Sequence, residues 1–195
     1  ILSEEFMYIC FEILKELKEI FLKYKSVLRF IILFMGTYLV LSIFYSFYLK
    51  LSANGGYFPD YFTNLVARQS ARILDTVGYP AVLFDNYDKE GVYLTIKESY
   101  TVNIVEGCNA ISVIILFVSF VVSFAAGFKK TFIFLLTGVG LIYIVNLFRI
   151  SLLVIALYKY PQYQEVLHGV VFPAIIYGMV VLLWIIWVNR LNPKT

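Results

Sequence analysis

Residues 106–124 read EGCNAISVIILFVSFVVSF, a cysteine set just ahead of a long apolar run. The run has the character of a membrane helix, and reading it that way decides the fold. A free cysteine is usually a small buried hydrophobe, kept or lost for its reactivity rather than its packing. The meaning of Cys108 therefore depends on what else reaches the same depth.

Composition agrees with the membrane reading. The chain has 195 residues, 61% hydrophobic, 18% aromatic and only 15% charged, with a mean hydropathy of +0.83. This is far from the usage of a soluble domain. The net charge of +3 is small and its basic residues are dispersed, so no nucleic-acid partner is implied. The two cysteines, Cys10 and Cys108, form neither a CxxC pair nor a zinc-type cluster with histidine, and a disulfide scaffold is not expected. No metal or organic cofactor is implied. The chain starts at Ile1 without a recognisable signal peptide, and its natural start is expected to lie upstream.

Four stretches match the roughly 20 apolar residues needed to cross a bilayer: Phe30–Leu49, Ala110–Phe128, Thr131–Tyr158 and Gly169–Val188. The third is overlong and holds Gly138, Gly140 and Arg149, which predicts a tilted or interrupted helix. Ahead of the first, residues 3–25 carry an apolar stripe through Phe6, Ile9, Ile13, Leu17 and Ile20, the spacing of an amphipathic helix on the membrane surface. Basic residues cluster before the first span, between the second and third, and after the fourth, nine of the sixteen Lys and Arg in all. The positive-inside rule puts both termini in the cytoplasm.

The predicted organisation is an all-α polytopic membrane protein. Residues 1–29 form a cytoplasmic amphipathic helix, 30–49 the first transmembrane helix, 50–109 an extracytoplasmic segment, 110–188 the membrane-embedded helices with the site, and 189–195 a cytoplasmic tail. The segment 50–109 is too long for a plain loop. PDYFTNLVARQSARILDTVG predicts a helix with Phe62, Leu65, Val66, Ile73, Leu74 and Val77 on one face and Gly78 as its stop. AVLF, GVYLTI and YTVNIV alternate as strands do. A helix and a small antiparallel sheet are expected over the outer mouth, and the acidic DNYDKEG lacks EF-hand spacing and reads as a solvated turn.

Helical rise, about 1.5 Å per residue, puts Cys108, Arg149 and His168 near one depth on three different helices. Each has an ordinary alternative: an inert thiol, an interfacial arginine snorkelling to headgroups, an interfacial histidine. Together they suggest acyl transfer. Cationic groups and a helix N-terminus favour the thiolate of Cys108, His168 exchanges protons, and Arg149 stabilises an oxyanion or fixes the substrate carbonyl.

VEGCNAIS around Cys108, NLFRI with Asn146 and Arg149, and His168 before the last span resemble the exosortase/archaeosortase family of membrane-embedded cysteine transpeptidases, most like the short exosortase F type. The resemblance covers roughly residues 100–188, and the first half matches in layout. It implies a nucleophile at Cys108, a transition-state stabiliser at Arg149 and an acid/base at His168. Beside these, Asn146, Asn109 and Glu106 are read from their positions in the same stretches as orienting or substrate-contacting residues. The resemblance also implies cleavage of exported proteins that bear a C-terminal sorting tail, and transfer of the new carboxyl end to an amine. Many members have Cys-Ser-Gly where this chain has Cys108, Asn109 and Ala110. Membrane lipids and an accessory membrane protein are the other expected partners. The rival readings are an intramembrane cysteine protease that only hydrolyses and a non-enzymatic scaffold or transporter subunit. A thiol oxidoreductase is disfavoured, because Cys10 belongs to the other side of the membrane.

Overall fold

The computed structural model describes residue 15 and residues 22–54, 59–85, 91–97, 100–125 and 127–191. The amphipathic helix expected over 3–25, the acidic turn and the end of the tail lie largely outside the described residues. Helix α1, Lys25–Asn54, is apolar on all sides, the signature of a helix surrounded by lipid or protein. None of its most apolar window is buried by the rest of the chain. It packs along the helix that follows Cys108, with Phe30 against Phe120 and Phe124 at 5.9 and 4.6 Å.

Helix α2, Tyr61–Thr76, starts where the sequence signals it. Asp60 caps it by accepting from the N–H groups of Phe62 and Thr63, which otherwise lack intrahelical partners. The buried face differs from the expected one. Val66 and Leu74 are buried as predicted, but Phe62 and Val77 are exposed, and the inward positions are filled by Thr63, Ala67, Ser70 and Ala71. Small side chains there let α2 lie close to its neighbours, while Phe62 and Val77 are turned outward. A three-stranded antiparallel sheet follows, in the order β1 (Ala81–Asp85), β2 (Val92–Ile96), β3 (Tyr100–Ile104). Its register pairs Leu83 with Leu94 and Leu94 with Val102. The inward alternation Val92, Leu94, Ile96 is fully buried against α2. Gly91 permits the sheet's close approach: a Cβ there would meet Asn103 Oδ1 at 2.2 Å.

Helix α3, Ile111–Ser123, is shorter than the span expected from hydropathy. At 13 residues it measures about 20 Å against a hydrocarbon core of about 30 Å. Ala110 ahead of it is left-handed, with φ +64°, and the chain leaves the helix at Phe124. Helix α4, Phe128–Lys159, runs 32 residues without interruption at Gly138 or Gly140. Gly138 is a contact point instead: a Cβ there would sit 2.2 Å from the ring of Phe117 on α3. The last span, Pro161–Asn189, begins earlier than expected and is helical throughout. A turn at 161–166 leads into a π-helical segment, Leu167–Val171, then α5, Phe172–Ile186. Among the described residues, three helices are thus long and apolar enough to cross a membrane, with α3 as a shorter apolar one.

Among the described residues two large apolar clusters fill most of the interior, with a smaller third around Leu153, Leu157 and Phe172. One, at the sheet end, joins α2 and the sheet to Ile150 and Val154 of α4. The other joins α3, α4 and α5 through Phe117, Val121, Ile142, Ile176 and Val180. Cys108 packs against the first and Ala110 belongs to the second. The two residues between strand and helix therefore straddle the junction of the two cores.

Candidate active site

The chain turns from β3 into α3 over six residues. Glu106–Cys108 form a single 3-10 turn, closed by Cys108 N–H to Val105 O at 2.8 Å and Asn109 N–H to Glu106 O at 3.4 Å. Ala110 then adopts the left-handed conformation, and its carbonyl accepts from Ile114 N–H. Asn109 folds back so that Oδ1 accepts from Ile111 N–H at 2.9 Å, a side-chain turn characteristic of Asn. A left-handed residue with a Cβ costs roughly 1–2 kcal/mol. Glycine would adopt this geometry without that cost, and serine could make a weaker version of the turn, so the departure from Cys-Ser-Gly is compatible with one shared backbone shape.

On one side of the turn stands α4. Asn146 is fully buried. Its Nδ2 donates to the carbonyl of Cys108 at 2.8 Å, and its Oδ1 accepts from Arg149 Nη1 at 3.1 Å. One amide therefore ties the cysteine's backbone to the guanidinium. Arg149 is half-buried, and its Nε is buried with no hydrogen-bond partner among the described residues. A permanently charged group with unspent donors, tied through one amide to the backbone of a half-buried cysteine, is equipped to receive negative charge or a polarised carbonyl.

On the other side lies a polar network that no local pattern in the chain foretells. Asn109 Nδ2 donates to Tyr45 Oη on α1 at 2.8 Å and to Thr63 Oγ1 on α2 at 3.2 Å. The Thr63 hydroxyl donates to Asp60 Oδ2, and Tyr48 Oη donates to Asp60 Oδ1 at 3.2 Å. Asp60 is almost wholly buried. Proline and aspartate ahead of an amphipathic run did mark a helix start; nothing local marked the carboxylate as internal.

The expected residues fall into two groups. Cys108, Asn109, Asn146 and Arg149 are brought together, and Glu106, half-buried, begins the same turn. His168 sits apart, exposed on the π-helical segment and without a hydrogen bond or ion pair to the described residues. Its neighbour Leu167 packs on Leu153 and Leu157, one and two turns beyond Arg149 along α4. No group of three or more His, Cys, Asp and Glu able to hold a metal occurs among the described residues.

A bundle of apolar helices carrying a small sheet, with a cysteine turn bonded through an amide to an intramembrane arginine, defines a class of polytopic membrane protein with a polar site at one end. The family model described as transmembrane exosortase matches residues 22–188. The chain belongs to the exosortase family. No curated protein and no solved structure matches it.

Proposed function

We propose that this exosortase-family protein is a membrane-embedded cysteine transpeptidase. It cleaves the C-terminal sorting tails of exported proteins and passes the new carboxyl end to an amine. The observation that carries the reading is the link from the Cys108 carbonyl through Asn146 to Arg149. It ties the backbone of the cysteine to a permanent cation through a single amide.

In the proposed reaction His168 takes the thiol proton of Cys108, and Sγ attacks the carbonyl carbon of the scissile peptide. Arg149 donates to the oxyanion of the tetrahedral intermediate, the kind of preorganised stabilisation that dominates acyl transfer. Collapse breaks the C–N bond, His168 returns the proton to the leaving amine, and an acyl thioester remains on Cys108. An acceptor amine then attacks the thioester, the thiolate leaves and regains a proton, and a new amide is formed. His168 reaches Cys108 only when substrate is bound. Catalytic hydrogen bonds are often made in the loaded complex alone, and π-helical segments recur at functional sites.

The site is assigned to the outer face of the cytoplasmic membrane, with both termini in the cytoplasm, following the lysines of the sequence. The test is a secreted reporter bearing the C-terminal tail of an exported protein of the same host, incubated with the purified protein and hydroxylamine. Hydroxylamine captures a thioester as a hydroxamate. A hydroxamate at the reporter's new end, absent with Cys108→Ala, is the expected result. A free carboxylate formed even when amine is abundant would make the protein a hydrolase, and a reporter processed equally by Cys108→Ala would remove the thiol from the chemistry.

A further inference from the structure

We propose that the buried network running from Tyr45 through Asn109 to Thr63 and Asp60 holds the Cys108 turn in register with Arg149, making Asn109 a positioning residue. The proposal rests on the reading of Cys108 as nucleophile beside Arg149.

Asn109 follows the cysteine but is 1% exposed, so it does not touch substrate. Both hydrogens of its amide are committed, to Tyr45 and Thr63, and its oxygen to Ile111 N–H. The direction of these bonds is set from Asp60. A carboxylate only accepts, and Asp60 accepts from Phe62 N–H, Thr63 N–H, the Thr63 hydroxyl and the Tyr48 hydroxyl. The Thr63 hydroxyl has therefore given its hydrogen away and offers Asn109 only lone pairs. The Asn109 amide must then present nitrogen to Thr63 and oxygen to Ile111. This orientation closes the turn that puts Ala110 at φ +64°, two residues beyond the nucleophile.

The network also joins separate parts of the chain at this turn. Tyr45 belongs to α1 and Thr63 to α2, while Asn146 on the opposite side belongs to α4. Cys108 hangs between two buried amides, one pulling on its carbonyl and one fixing the residue after it. Releasing either lets the thiol drift relative to the guanidinium, and a displacement of about 1 Å at a reacting group can cost about a hundredfold in rate.

The test needs no knowledge of the natural substrate. In a Cys10→Ala background, Cys108 is alkylated at fixed pH with iodoacetate and with iodoacetamide. The ratio of the two rates reports the positive potential at the sulfur. Wild type should exceed Arg149→Ala in this ratio by about tenfold, the scale of one charge acting over a few ångströms in partly screened protein. Tyr45→Phe, which removes one oxygen at constant shape, and Asn109→Ser, which keeps an acceptor for Ile111 but drops the tie to Tyr45, should each lose most of that excess. The double variant should be no worse than the singles, as for one shared interaction, with thermal midpoints in detergent near wild type. If Arg149→Ala lowers the ratio while Tyr45→Phe retains the wild-type value, the positioning role is overturned and the Cys108 and Arg149 reading stands. If Arg149→Ala leaves the ratio unchanged, the reading falls and the inference with it. Should Asn109→Ser not fold, Tyr45→Phe alone decides.

Discussion

Replacing Asn146 by alanine tests the centre of the site. The side chain is fully buried, so no bulk water takes over its two hydrogen bonds. The bond to the Cys108 carbonyl joins neutral groups and contributes about 0.5–1.5 kcal/mol. The bond from Arg149 involves a charge and contributes about 1.5–3 kcal/mol. Arg149 already has one buried donor unpaired, so the loss falls on a group with little slack. Stability should drop by about 2–4 kcal/mol, read as a lower thermal midpoint in detergent.

The effect on turnover has a different ceiling. Arg149 stays in place but loses the partner that aims it, so the rate should fall by less than the 10²- to 10³-fold typical of deleting an oxyanion donor. About 10- to 100-fold in kcat on the tail-bearing reporter is expected, with KM little changed. Asn146→Asp separates the two ties. It keeps an acceptor for Arg149, and so most of the stability. It gives up the donor to the Cys108 carbonyl and neutralises the guanidinium. Its thermal midpoint should stay near wild type while kcat falls at least as far as in the alanine variant. Wild-type kcat in either variant would refute the argument that this amide couples the nucleophile's backbone to the cation.

Gly138→Ala places a methyl group 2.2 Å from the Phe117 ring, forcing α3 and α4 apart. It should destabilise by about 1–3 kcal/mol as overpacking does, and Phe117→Leu in the same chain should recover part of the thermal midpoint. Ala110→Gly relieves left-handed strain of about 1–2 kcal/mol against the extra chain entropy of glycine, about 0.5–1 kcal/mol. The variant should therefore equal or exceed wild type in thermal midpoint, whereas Ala110→Val, β-branched at φ +64°, should fall well below it. Asp60→Ala removes the cap of α2 and the acceptor of the Thr63 and Tyr48 hydroxyls. A loss of about 2 kcal/mol or more is expected, above the ~1 kcal/mol of an ordinary cap, with faster backbone hydrogen exchange at Phe62 and Thr63.

What the sequence disclosed here was governed by short-range pattern. Apolar length marked α1, α4 and the last span, because a bilayer selects for length and transfer energy alone. Alternation in VYLTI marked β2, because period two puts one face inward. Cys108 and Arg149 stood out as chemically costly groups in apolar surroundings, and the helical rise placed them at nearby heights. The failures share a cause. The inward face of α2 is expected from its largest apolar residues, but close packing on the sheet and α4 favours the small side chains Ala67, Ser70 and Ala71 there and leaves Phe62 exposed. The second span is expected to reach Phe128 from hydropathy, yet the chain leaves the helix at Phe124, inside an apolar run that offers hydropathy no break to register. Asp60 lies in the extracytoplasmic segment, where a carboxylate ordinarily meets water, yet it is buried because its four donors come from its own helix turn and from Tyr48, on another helix. Asn109 finds Tyr45 at a separation of 64 residues, a pairing no window on the chain contains. A buried polar side chain in an apolar bundle is costly unless its partners are in place. Its role is therefore fixed by which atoms it serves, and that is decided by how the helices come together. The residues of the proposed site, Asn109 and Asn146 among them, can be read from the chain; the atoms that the two amides serve are set only in the folded structure.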